Sequence, residues 1–222
     1  MEWIPSIFSA LFSLFFLSTL LLVAFKLFRV FKIQKEVRAL ALQKNWEYYF
    51  SLRGYYLRGK ESNFSWEFGT WLRQSAVRRR YHLQDWHSVD IRSQKFRLAL
   101  LPPLSQENKW PSSLTVKVIE SFYGPIQILN RGEENLFRIH CQDTNMAREL
   151  ITDEFISCYQ QWLIAHPIDR SDQCFLFIVL SPTGLEIAYP ERFIKMESFE
   201  AYLRFCSRLA KELNRKITSS IF

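Results

Sequence analysis

Residues 174–189 read CFLFIVLSPTGLEIAY. The first seven are apolar without alternation, as in a strand covered on both faces at the centre of a sheet. Ser181-Pro182-Thr183-Gly184 carries turn chemistry, and Leu185–Tyr189 returns as a second strand. Working outward, Ser198 can N-cap a helix in which Phe199, Tyr202, Leu203, Cys206, Leu209, Ala210, Leu213 and Ile217 form one apolar face. Glu200, Arg204, Arg208, Lys211, Glu212 and Arg215 fall on the opposite side. Upstream, Asp143 is a good N-cap before Thr144-Asn145-Met146. Ala147, Leu150, Ile151, Phe155, Cys158, Tyr159 and Trp162 then share a face, and a break near Thr152-Asp153 splits this stretch into two helices without changing that face. Pro167 follows its end.

The region before these helices is strand-like. Candidate strands are Trp46–Phe50, Phe64–Trp71, His87–Ile91, Lys95–Leu101, Leu114–Ser121, Ile126–Leu129 and Leu136–Gln142. Alternation is clearest at Leu114, Val116, Val118 and at Phe137, Ile139, Cys141. His140 lies on the other strand face from Cys141 and is expected to face solvent. Strands followed by late helices indicate an α+β domain over residues 46–222, with an antiparallel or mixed sheet and two to three packed helices. Those 177 residues suffice for one core of ordinary size.

The N-terminal stretch reads differently. Residues 4–25, IPSIFSALFSLFFLSTLLLVAF, are 22 residues without a charge. As a helix at ~1.5 Å per residue they extend roughly 33 Å, and a hydrocarbon core of about 30 Å needs about 20 apolar residues. This predicts a single transmembrane helix, not a cleaved leader, because the start Met1-Glu2-Trp3 has no Lys or Arg. Lys26, Arg29, Lys32, Lys35 and Arg38 follow at intervals of three and predict a basic juxtamembrane helix over the remainder of residues 1–45. The positive-inside rule then places a short N-terminus outside and the C-terminal domain in the cytoplasm. Ser6, Ser9, Ala10 and Ser13 fall on one stripe of the span, a face for homodimerisation. Membrane lipids are the expected partner of the basic collar.

The net charge of +7 is concentrated at this end. The first hundred residues hold sixteen Lys and Arg against seven Asp and Glu, and the rest is slightly acidic. Arg78-Arg79-Arg80 is the sharpest basic cluster; a solvated surface is the plainest reading, contact with the membrane surface alongside the collar is the leading functional one, and nucleic acid or an anionic protein partner are lesser alternatives. No nucleic acid is expected, since no RNA-binding signature accompanies the arginines.

The order of elements resembles that of bacterial membrane-anchored proteins with an N-terminal transmembrane helix and a cytoplasmic α+β domain of unknown function. The residues that carry the resemblance are Ala39-Leu40-Ala41 leading to Asn45-Trp46, then Phe137-Arg138-Ile139, Asp143, Ala147, Leu150 and Trp162-Leu163. The hairpin residues Gly184-Leu185-Glu186-Ile187 complete it. Asn45 stands where that group has Gly. The resemblance implies a bacterial inner membrane and supplies no activity, cofactor or site residue.

Catalytic signatures are absent from the sequence. Cys141, Cys158, Cys174 and Cys206 contain no Cys-x-x-Cys pair, and each falls in an apolar run, which predicts reduced core thiols. No phosphate loop, dinucleotide fingerprint, nucleophile elbow or zinc-protease motif is present, and no metal or other cofactor is implied. The densest polar cluster holds His82, Asp85, His87 and Asp90, the candidate residues if the protein is an enzyme. The preferred expectation is a non-enzymatic, membrane-anchored protein-binding or scaffolding module with an unidentified protein partner. A membrane-bound enzyme with its site near 82–90 and a subunit of a larger membrane complex are the alternatives.

Overall fold

Helix α1 runs over Trp3–Gln43 in a computed structural model that describes residues 3–51, 54–74, 80–93, 96–101, 120–131, 136–166, 176–189 and 196–219. Within these, side chains are described except at 3–11, 26–27, 29–30, 51, 54, 70–74 and 80–84. No Gly or Pro interrupts α1 after its first turn. The hydroxyls of Ser18 and Thr19 both donate to the Phe15 carbonyl at 2.8 Å, so these residues satisfy their polar atoms inside the helix. Asn45 ends the rise at φ 57°, in the left-handed region that Asn tolerates better than most residues. The chain divides here into two compact units, Met1–Asn45 and Trp46–Phe222.

The expectation of a transmembrane helix is overturned: among the described residues no helix is long and apolar enough to cross a membrane. The uncharged run of its sequence ends at Phe25. Beyond it the same helix carries Lys32, Lys35, Glu36 and Arg38, with Lys32 and Glu36 paired at 4.0 Å. The single-pass placement, the outside N-terminus, the cytoplasmic assignment and the bacterial inner membrane rested on that span and go with it.

The second unit is built on a nine-stranded antiparallel sheet. In chain order the strands are β1 Glu47–Ser51, β2 Gly54–Lys60, β3 Ser65–Gln74, β4 Arg80–Ser88, β5 Leu98–Leu101, β6 Ile126–Gln127, β7 Arg138–Cys141, β8 Phe177–Ser181 and β9 Gly184–Tyr189. They lie in the order β1-β2-β3-β4-β9-β8-β5-β7-β6. The apolar run at residues 176–180 therefore feeds a central strand, β8, flanked by β9 and β5. Residues 120–123 are helical, so the expected strand Leu114–Ser121 does not hold at 120–121, and its residues 114–119 lie outside the described ones. Further helices are α2 Thr144–Leu150, α3 Asp153–Ala165 and α4 Met196–Ser219.

One row of opposed residues crosses every strand: Tyr48, Leu57, Phe68, Trp86, Ile187, Ile178, Leu100, Ile139 and Gln127. Its seven inner members are at most 1% exposed. This is the face the helices cover. Phe199 of α4 packs on Phe68 with ring centroids 5.1 Å apart, and Tyr159 of α3 packs on Phe137 at 4.8 Å. Strand alternation puts large residues on this side at every second position, and each buried aromatic contributes on the order of 2–3 kcal/mol of burial.

The Asp143 cap read from the sequence is present, and Thr152 caps α3 at the expected break; Ser198, expected to N-cap the last helix, instead lies inside α4, which begins at Met196. The Asp143 carboxylate accepts from the N–H of Asn145 at 2.8 Å, and Thr152 accepts from the N–H of Phe155 at 3.2 Å. Thr152 begins α3 where the apolar face continues but the backbone of Ile151 leaves helical geometry. Cys141, Cys158 and Cys206 are buried free thiols, and burial pushes all three upward, keeping them protonated and unreactive. Cys174 lies outside the described residues.

The expectation for His140 is wrong: it is fully buried. The reason is a segment that local alternation cannot reveal. Residues 120–131 return across the far end of the sheet, and the Gly124 carbonyl meets His140 Nδ1 at 3.2 Å. Gly124 has φ 96°, and a Cβ there would stand 2.7 Å from the backbone nitrogen of Gln142. Only glycine lets this turn close against β7.

Candidate functional site

The face opposite the helices changes character along the sheet. Its central row runs Glu47, Arg58, Glu67, His87, Glu186, Val179, Ala99, His140 and Ile126. At the β7 end this row is buried under residues 120–131. At the β1 end it is an open ladder of alternating charge. Arg58 stands between two glutamates: its Nε donates to Glu67 Oε1 at 2.9 Å, and its Nη1 lies 3.7 Å from Glu47 Oε2. All three side chains are more than half exposed, so the ladder adds little stability and mainly sets a pattern of charge across the strands. The hydrogen bond to Glu67, then its charge, raises the Arg58 guanidinium above its ordinary value.

The ladder ends on Glu47, in the edge strand β1. Both of its contacts use one oxygen: Oε2 faces Arg58 and accepts from the Tyr49 hydroxyl at 2.9 Å. Oε1 has no partner among the described residues. Beside it Tyr49 and Phe50 are 53% and 54% exposed. Alternation places Tyr49 on the ladder face and Phe50 on the helix face, so the edge shows an aromatic on each side. Among the described residues β1 is paired on one side only, with β2.

The opposite edge is built differently. β6 has two residues and follows Pro125. Gln127 donates to the Cys141 carbonyl at 2.7 Å and accepts from the Thr144 hydroxyl at 2.6 Å, tying this edge down. A short, braced strand next to proline is a blunted edge; β1 has neither proline nor lysine.

The candidate catalytic residues occupy separate places. Asp85 is half-buried on β4, opposite Gly69 and Ala188. His87 is half-buried two positions on, between Glu67 and Glu186 in the ladder. Asp90 lies past the strand end. The N–H and hydroxyl of Ser65 both donate to its carboxylate, the former at 2.7 Å, and the two hydrogen bonds hold it below the usual carboxylate range. This makes Asp90 a brace between the end of β4 and the start of β3. His82 pairs in register with Leu72, five positions from His87 or about 17 Å along the strand; its side chain lies outside the described residues. Among the described residues no group of three or more His, Cys, Asp or Glu is placed to hold a metal ion.

The basic residues of the sequence reading are scattered in the same way. Lys32, Lys35 and Arg38 are exposed on α1. Lys26 and Arg29 are in that helix, and Arg80 opens β4 opposite Gln74, with side chains outside the described residues. Arg78 and Arg79 also lie outside them. Ser13 is exposed on α1, while the side chains of Ser6, Ser9 and Ala10 are outside the described set. Sequence reasoning missed the exposed edge because it missed β2. The strand GYYLRGK has glycine at two of its seven positions, and Gly59 falls on the core face where an apolar residue would mark alternation.

No protein family matches this chain, and neither a curated protein nor a solved structure does. The resemblance to bacterial membrane-anchored proteins is therefore not supported. The residues that carried it have local reasons to be where they are. Asp143 is a cap, Ala147 and Leu150 are the buried stripe of α2, and Asn45 supplies a left-handed helix end. Unrelated chains meet the same physical demands with the same residues.

Proposed function

We propose that the protein is a non-enzymatic protein-binding module that takes an extended segment of a partner protein onto β1, extending its sheet by one strand. The observation that supports this reading is the contrast between the two sheet edges. β6 is short, braced and preceded by proline, whereas β1 has five residues and presents Tyr49 and Phe50, both more than half exposed. In such recognition the backbone hydrogen bonds of the edge supply affinity, and alternate side chains supply specificity.

A photo-crosslinking amino acid placed singly at Tyr49, Phe50 or Ile164 in the full chain tests the reading. Ile164, on α3, is 82% exposed and serves as the control. The expected result is cross-linking from positions 49 and 50 to one extended segment of one protein, with none from position 164. The same products from all three positions, or no product from 49 and 50, would overturn it.

A further inference from the structure

The ladder that ends at the open edge specifies what the incoming strand carries. Resting on the edge-docking reading above, we propose that β1 selects an extended segment with a Lys or Arg directly opposite Glu47, flanked on both sides by apolar residues. Three observations lead to this.

The first is the order of charge. Counting outward across the sheet, the row reads Glu67, Arg58, Glu47, one residue per strand. The next position belongs to the added strand. Opposite charges directly across a strand pair attract and like charges repel, so the alternation is continued by a cation.

The second is the state of Glu47 itself. Arg58 and the Tyr49 hydroxyl both engage Oε2. Oε1 has no partner among the described residues, and the side chain is 57% exposed. A lysine ammonium or arginine fork arriving opposite Glu47 meets a carboxylate oxygen still available to accept.

The third is the other face. The residues on either side of the cation point to the helix side, where Tyr48 continues the apolar row of Leu57 and Phe68 and where Phe50 is exposed. Apolar residues there extend the core row by one strand. A second copy of β1 does not satisfy this pattern: Glu47–Ser51 has no Lys or Arg to set opposite Glu47.

The test uses the full chain and two capped peptides, Thr-Val-Lys-Val-Tyr-Val-Thr and its twin with Glu in place of Lys. Affinities are measured for the wild type and for Glu47→Lys. The expected result is that the wild type binds the Lys peptide about 2- to 10-fold more tightly, the effect of one exposed charge pair across strands. Glu47→Lys is expected to reverse the order, and about 1 M salt to compress both preferences. Glu47 is exposed and outside the core, so the variant keeps the fold, which circular dichroism verifies. Binding of both peptides with no preference, or a preference that Glu47→Lys leaves in place, would overturn the charge rule and leave edge docking standing. Retention of neither peptide would overturn both, as would light scattering showing that β1 is already occupied by a second copy.

Discussion

The hydroxyl of Tyr202, in α4, donates to the backbone carbonyl of Ile187, in β9, at 2.7 Å, and both residues are fully buried. The bond crosses the boundary between the helix layer and the sheet. Burial pushes the Tyr202 hydroxyl well above its ordinary range, so it remains a proton donor at any ordinary pH. Tyr202→Phe removes the donor and leaves the edge-to-face contact with Phe68, centroids 6.2 Å apart, in place. The expected loss is about 1 kcal/mol, read as a lower urea midpoint with an unchanged slope. An unchanged midpoint would show that the Ile187 carbonyl does not depend on this donor.

Gly59 tests the tightest approach in the sheet. It stands opposite Trp66, and a Cβ there would lie 2.3 Å from Trp66 Cζ2. The indole cannot step aside, because it is 2% exposed and wedged between Trp46 and Trp86, with centroids at 5.0 and 6.3 Å. Gly59→Ala should destabilise the domain by about 1–3 kcal/mol through overpacking. The same denaturation measurement checks it; a neutral result would mean the tryptophan stack can shift.

Thr152 joins two elements with one hydroxyl. It accepts from the Phe155 N–H at the start of α3 and donates to Glu212 Oε1 on α4 at 3.2 Å. Thr152→Ala loses both and should cost about 0.5–2 kcal/mol. Thr152→Ser retains the oxygen and should recover most of the loss, which separates capping from packing of the methyl group.

His140 makes stability depend on pH. Its pKa is lowered chiefly by burial, against a smaller opposing effect of the Gly124 carbonyl. The folded state therefore refuses a proton that the unfolded chain accepts near the ordinary histidine value of about 6.5. The contribution is fully present above that value and is lost as pH falls from there toward the depressed folded value. His140→Asn keeps a side-chain N–H for Gly124 and removes the titration. Unfolding free energies from about pH 7.5 to 5 should fall less steeply in this variant than in the wild type; parallel curves would count against the assignment.

How much of this was legible in the sequence varies with the range of the interaction. Asp143 caps its helix within three residues, and the face of α4 repeats over neighbouring turns, so local pattern was enough; it was not enough for the start of α4, which lies at Met196 and not after Ser198. The apolar run at 176–180 announced a central strand for the same reason. β2 was hidden because Gly59 occupies a core-facing position, and the full length of β4 because Gln84 and His82 break its alternation. The separation of His82, Asp85, His87 and Asp90 could not be read from their closeness in sequence, since an extended strand spreads neighbours about 3.4 Å apart per residue.

The chain by itself determined the Asp143 helix start, which helix faces are apolar and that Cys141, Cys158 and Cys206 sit in buried positions, because these follow from backbone periodicity and transfer free energy acting over a few residues. Only the tertiary structure decided that Arg58 stands between Glu47 and Glu67, that His140 is roofed by Gly124, and that among the described residues β1 is a five-residue edge strand while β6 is a braced two-residue one. Those relations depend on strand order and register, which bring together residues far apart along the chain, and no local pattern encodes that partnership.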